Sequence, residues 1–256
     1  MKLGRFALKT AWRIRRFFGR PHPHLLVACM PKSASTFISN ALVELTGYSR
    51  QSLIAGGPWR EQDLSLQALI DFYDRPTVSQ HHVRATEPNL KLMQQFGVRP
   101  VVLVRNLFDV VVSNLDHLKK ESLATSNVWW TEDFLRLPRE LQLDAVIALA
   151  LPWYFNFFVS WHEASRAQLI ECEWVTYEEF IADPQATLVR LAPFLRVPAS
   201  RETAAAALAK VPGGASSRVN RGVAGRGAAE LSPAQMERVR AFARYYPSID
   251  FSRIGL

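Results

Sequence analysis

The chain has 256 residues, 48% of them apolar and 21% charged, with two cysteines and no low-complexity tract. This composition excludes a disordered or fibrous protein and is ample for one large domain with a buried core. The net charge of +8 is concentrated in residues 1–20, with seven basic residues and no acid; the rest carries 24 basic against 23 acidic residues, which argues against a nucleic-acid partner.

Residues 1–20 read as a basic amphipathic N-terminal segment, and 21–256 as a single domain. Leu3, Phe6, Ala7, Ala11, Ile14, Phe17 and Phe18 recur at helical spacing, with Lys and Arg opposite. The pattern fits either an interfacial helix on an anionic membrane surface or a short helix docked on the body. It lacks the uninterrupted apolar stretch of a signal peptide, so none is expected.

Residues 25–30 (LLVACM) predict a buried parallel strand, followed by the polar turn PKSAS and a helix closed by Gly47. A loop is expected over 49–66, a helix near 64–73, a strand at 77–83 and a helix at 88–97. PVVLVRN at 100–106 is the clearest strand, and 107–118 follows as a helix. The apolar run 143–166 predicts a buried helix bent at Pro152 rather than a membrane span. A strand at 169–177, a helix at 178–195, a Gly- and Ser-rich stretch at 211–230 and a helix at 232–246 complete the chain. Strands alternating with helices predict an α/β fold with a parallel β-sheet in three layers, helices on both faces and a ligand at the carboxyl ends of the strands. Cys29 and Cys172 fall inside predicted strands, and two buried thiols fit a reducing, cytoplasmic setting.

Two segments carry chemistry by residue type. Pro31–Phe37 (PKSASTF) places a lysine, three hydroxyls and free backbone N–H groups between a strand and a helix, which suits a phosphate or sulfate. The alternative is a Ser/Thr helix cap beside a solvated lysine. The G-x-x-x-x-G-K-[ST] spacing is absent. Val101–His117 puts Arg105 at a strand end and Ser113 two helical turns on, a guanidinium fork and a hydroxyl for a second phosphate. Here the alternative is an ion pair of Arg105 with Asp109.

In this order and spacing, PKSASTF and RNLFDVVVS resemble the two nucleotide signatures of sulfotransferases that use 3′-phosphoadenosine-5′-phosphosulfate (PAPS). NRGVAGRGAAELSP at 220–233 is similar to the family's C-terminal loop, and YEEFIADPQATLVRLAPFL at 177–195 to its Y-E-D-x-x-x-D-P segment. Ala34 stands where the family usually has glycine, Leu107 where it has proline, and Asn220–Arg221 where Arg-Lys is common. The resemblance implies a P-loop-like sulfotransferase fold, PAPS as co-substrate, no metal, and release of 3′-phosphoadenosine-5′-phosphate (PAP). It assigns Lys32 to the charge on the leaving phosphate. Ser33, Ala34, Ser35 and Thr36 would hold the 5′-phosphate, and Phe37 and Tyr177 would meet the adenine. Arg105, Ser113, Arg221 and Gly222 would read the 3′-phosphate.

The base for the acceptor proton is expected at His82, which ends TVSQHHV where the family has its central histidine. His81 and Glu44 are the alternatives, because neighbouring strand residues face opposite sides. Trp59, Trp129, Trp130 and Phe134 are candidates for the wall of a pocket taking a small-molecule, lipid or glycan acceptor. The competing reading is a P-loop-type nucleotide kinase or another ATP-binding α/β enzyme. Attachment to the inner face of a membrane through residues 1–20 is the remaining expectation.

Overall fold

Five strands make one parallel sheet in the order β2–β3–β1–β4–β5. They are β1 (His24–Cys29), β2 (Ser49–Arg50), β3 (Thr77–His81), β4 (Val98–Val104) and β5 (Glu173–Thr176). The structure is a computed structural model and describes residues 22–56, 61–125, 127–211 and 225–256. The N-terminal segment, Trp59, Arg221 and Gly222 lie outside these residues.

β1 pairs with both β3 and β4, and all six of its residues are buried. A central strand covered on both faces needs apolar side chains at every position, hence the unbroken LLVAC run. Its side chains still alternate between layers. Leu26, Ala28 and Met30 join Val102 and Val104 in one cluster, while Leu25, Val27 and Cys29 join Val101, Leu103 and Val175 in the other.

The second cluster is closed by α1 (Ser35–Thr46) through Phe37, Ile38, Ala41 and Leu42. The helices α2 (Leu66–Asp71), α3 (Glu87–Phe96) and α4 (Leu107–Lys120) pack on the first cluster through Leu69, Met93 and Val110–Val112. The short α5 (Glu132–Arg136) precedes a continuous helical run in three parts: α6 (Arg139–Ala145), a π-helical turn (Val146–Ala150) and α7 (Leu151–Arg166). Pro152 has no N–H for the ladder, and the wider π turn just before it absorbs the defect. By length and apolarity Arg139–Arg166 would span a membrane; here Leu143, Val146, Tyr154, Phe158 and Trp161 are buried in the core.

The expected helix over 178–195 is two helices, α8 (Tyr177–Ala182) and α9 (Pro184–Leu195). Pro184 cannot continue α8, and the Asp183 carboxylate accepts the Ala186 N–H at 2.8 Å to start α9. Besides α5, two elements go beyond the sequence expectation. The edge strand β2 lies within the expected loop, and α10 (Arg201–Lys210) begins at a Ser200–Thr203 capping box. β5 is shorter than predicted, leaving Cys172 just outside it. The chain closes with α11 (Arg226–Glu230), α12 (Pro233–Ala241) and a 3₁₀ turn, Phe242–Tyr245, in place of a helix running to 246.

The chain leaves β1 through α1 toward β2, and leaves β4 through α4 on its way to β5. The connections therefore diverge at the carboxyl ends of β1 and β4, which opens a crevice there.

Candidate active site

The turn after β1 is built from two residues in the left-handed region, Lys32 (φ 66°) and Ala34 (φ 60°). Each costs an L-residue about 1–2 kcal/mol, a strain typical of ligand-binding turns. Ala34 is the N-cap of α1, and its methyl offers no acceptor, so no side chain caps the helix. The first N–H groups of α1 face the crevice with the helix dipole behind them. The glycine usual in the resembling family suits this conformation; here Ala34 adopts it at a cost.

The hydroxyls divide their roles. The Ser33 Oγ donates to the Met30 carbonyl at 2.6 Å and is fully buried, so it closes the turn instead of presenting its proton to a phosphate. Ser35 Oγ accepts from Gln80 Nε2 at 2.9 Å, tying the turn to β3, and Thr36 is half-buried at the second helical position. Phe37 packs its ring on Phe180, centroids 5.2 Å apart, and is 4% exposed. Phe37 thus sits at the edge of the second core cluster.

Arg105 ends β4 and reaches across the crevice. Its Nη1 donates to the Lys32 carbonyl at 2.7 Å, its Nη2 lies 4.0 Å from Asp109, and its guanidinium sits 3.9 Å over the Tyr177 ring. Tyr177 thus forms a shelf under Arg105. The expected alternative, an Arg105–Asp109 pair, is present, yet the buried Arg105 Nε has no partner. A buried guanidinium donor with bonding capacity to spare thus lies beside the Lys32–Ala34 turn. Ser113 lies two turns along α4 and is buried.

Asp109 does more than pair. Its carboxylate accepts the N–H groups of Gly225 and Gly227, both at 2.7 Å, and so fixes the chain where it returns from the segment containing Arg221 and Gly222. Gly227 packs so tightly that a Cβ there would lie 2.2 Å from the Phe108 carbonyl carbon. The Arg105 segment and the C-terminal stretch from Gly225 are therefore joined through one buried carboxylate.

The two histidines separate cleanly. His81 Nε2 accepts the Leu53 N–H at 2.9 Å, and burial, with the neighbouring His82 and Arg50, pushes its pKa down to about 4. It is a neutral structural group. His82 Nδ1 lies 2.8 Å from the Cys29 carbonyl, which can only accept, so Nδ1 carries the proton and Nε2 keeps its lone pair. Burial lowers the His82 pKa, opposed by that bond and by Glu61, which leaves a neutral imidazole at neutral pH. The His82 N–H donates to Gln62 Oε1 at 2.7 Å, and Trp153 meets the ring edge-on, centroids 6.3 Å apart. The Cys29 thiol is buried and pushed up to about 12, which makes it inert.

Lys32 is held 3.8 Å from Glu121. Burial lowers its pKa, with Glu121 and Asp116 opposing and Arg105 adding to the fall. Among the expected wall residues, Trp130 and Phe134 lie against each other with tilted rings and are buried in the first cluster, whereas Trp129 is 93% exposed. Among the described residues no three His, Cys, Asp or Glu side chains gather as a metal site.

Sequence reasoning missed Glu121, Gln80, Gln62 and Trp153, which come to the site from a helix C-terminus, strand β3, a loop and the first turn of α7 with no local signature. Asp109 was visible only as a partner for Arg105.

No protein-family model matches the sequence, and no curated protein matches it. Among solved structures, the fold recurs in a mouse sulfotransferase, SULT7A1, complexed with PAP: TM-score 0.64 and 16% identity over 96% of this chain and 92% of that one. A retinol dehydratase in complex with androsterone and inactive cofactor PAP aligns at TM-score 0.55 and 14% identity, covering 96% and 86%. A sulfotransferase from Alicyclobacillus acidocaldarius gives 0.50 and 14%, covering 91% and 94%. The chain has the α/β fold shared by these proteins.

Proposed function

We propose that this protein transfers a sulfuryl group from PAPS to an acceptor hydroxyl. The observation that carries the proposal is the Nδ1–H bond of His82 to Cys29, three residues before Lys32. It supports reading His82 as a neutral base, with its Nε2 lone pair available, near the uncapped turn that carries Lys32. In the reaction the acceptor oxygen attacks sulfur in line with the leaving phosphate, and its proton passes to His82 Nε2. The bond from sulfur to the bridging oxygen breaks, and its electrons stay on the phosphate of PAP. The Lys32 ammonium and the N–H groups of α1 offset that charge. The unpartnered Arg105 Nε supplies a donor for the 3′-phosphate.

For the acceptor we favour a small molecule with an apolar body. Trp153 and Phe157 stack 5.4 Å apart with Trp153 against His82, an apolar wall beside the base. Solved relatives in fold hold retinol or androsterone with PAP. Incubation with PAPS and a panel of sterols, phenols, glycans and lipids, followed by mass spectrometry, tests the reading. Sulfation of one class supports it; PAPS left intact with every class, beside turnover of ATP, contradicts it. For residues 1–20 we propose contact with anionic lipid at the cytoplasmic face of a membrane, on the strength of their charge pattern. Full-length protein that stays in the supernatant with anionic vesicles contradicts that part.

A further inference from the structure

Glu121 is the C-cap residue of α4, where the helix dipole disfavours an anion and the last turn already holds His117, Lys119 and Lys120. The helix dipole therefore opposes its position, and its pairing with His117 one turn back favours it within the helix. Each of its oxygens meets a different cationic group: Oε1 lies 3.8 Å from Lys32 Nζ, and Oε2 lies 3.2 Å from His117 Nδ1. The His117 contact is an ion-pair approach without a well-aligned hydrogen bond. Glu121 is 56% exposed, whereas the Lys32 side chain is 19% exposed and enclosed by the crevice.

Resting on the donor-site reading above, we propose that Glu121 is a positioning residue. It parks Lys32 in the empty site, yields it to the incoming phosphosulfate, and then leans on His117. The exchange stops the lysine from sampling the solvent and keeps a carboxylate from staying on the ammonium when the leaving phosphate needs it. Other charged groups around the three include Arg105 and Asp116 beside Lys32, with Arg226 paired to Asp116 at 3.0 Å.

The exchange carries a proton signature. Burial and the nearby Lys32 lower the His117 pKa, and Glu121 raises it. When Lys32 moves onto phosphate, the lowering cation leaves while Glu121 stays, so the imidazole gains affinity for a proton. The bound state then holds more protons than the free state, and PAP affinity falls as pH rises through the His117 range.

Calorimetric titration of PAP, in buffers of different ionisation enthalpy, tests this with wild type, Glu121→Gln and His117→Asn. Because the pair is half-exposed, Glu121→Gln is expected to bind PAP about fivefold more tightly at pH 8. Both variants should take up fewer protons than wild type on binding. Glu121→Asp, which keeps the charge but withdraws it by one methylene, should fall between. Unchanged or weaker PAP binding in Glu121→Gln, or equal proton uptake in His117→Asn and wild type, overturns the proposal. A wild type that does not prefer PAP over 5′-ADP overturns the nucleotide reading itself, a result distinct from either of these.

Discussion

Replacing Asp109 with asparagine isolates the clamp that joins the Arg105 segment to the C-terminal stretch from Gly225. The carboxylate is 2% exposed and accepts two N–H groups at 2.7 Å, with Arg105 Nη2 4.0 Å away. Hydrogen bonds to a charged group contribute about 1.5–3 kcal/mol each. Asparagine keeps one acceptor oxygen but turns an NH₂ toward the other backbone N–H, and it leaves Arg105 without its buried counter-charge. A net loss of about 3 kcal/mol follows, within the usual range for breaking a buried pair. For a chain of this size that is a fall in Tm of about 6–12 °C. Urea unfolding followed by the fluorescence of the seven tryptophans reads it directly. Because Gly225 and Gly227 fix the return of the C-terminal segment, the folded variant should also lose preference for PAP over 5′-ADP. A stability loss under about 1 kcal/mol, with that preference intact, would refute the clamp.

The base assignment predicts that His82→Ala lowers kcat about 100-fold or more while PAP binding is retained. With its pKa lowered by burial, wild-type activity should hold across neutral pH and fall only below the ordinary histidine value near 6.5, as the imidazole protonates. His81→Ala should instead lower stability, losing the acceptor for the Leu53 N–H, with kcat of the folded fraction near wild type. His24 and His81 are both pushed down to about 4, so the unfolded chain binds more protons than the folded one between pH 6.5 and 4. Stability should therefore fall with pH across that window, by up to about 3 kcal/mol for each group, seen as a declining urea midpoint. Ala34→Gly should relieve left-handed strain of about 1–2 kcal/mol against about 0.4–1 kcal/mol of added unfolded-state entropy, a small net gain in Tm.

The fold was legible where a local pattern has one physical meaning. LLVAC and PVVLV have to be central parallel strands because apolar residues at every position need cover on both faces. Gly47 and Gly97 mark helix ends because they adopt the left-handed region there. What escaped depends on partners distant in sequence. Ser49–Arg50 has no strand composition and is a strand only because Thr77 and Val78 offer it an edge. The anion turn, Arg105 and His82 were readable as residue types at strand ends. Their division of labour was not: Ser33 turns inward to Met30, Phe37 joins the core, and Tyr177 supports Arg105, each set by contacts in three dimensions. His81 and His82 are equivalent in sequence, and only the Leu53 N–H and the Cys29 carbonyl tell them apart.

The central claim is that the crevice between β1 and β4 recognises a nucleotide bearing a 3′-phosphate. Calorimetric binding of PAP beside 5′-ADP and magnesium ATP tests it most directly. The account predicts clear preference for PAP, lost in Arg105→Ala. Equal or better binding of ATP, unchanged in that variant, would contradict it and point to a kinase-like enzyme instead.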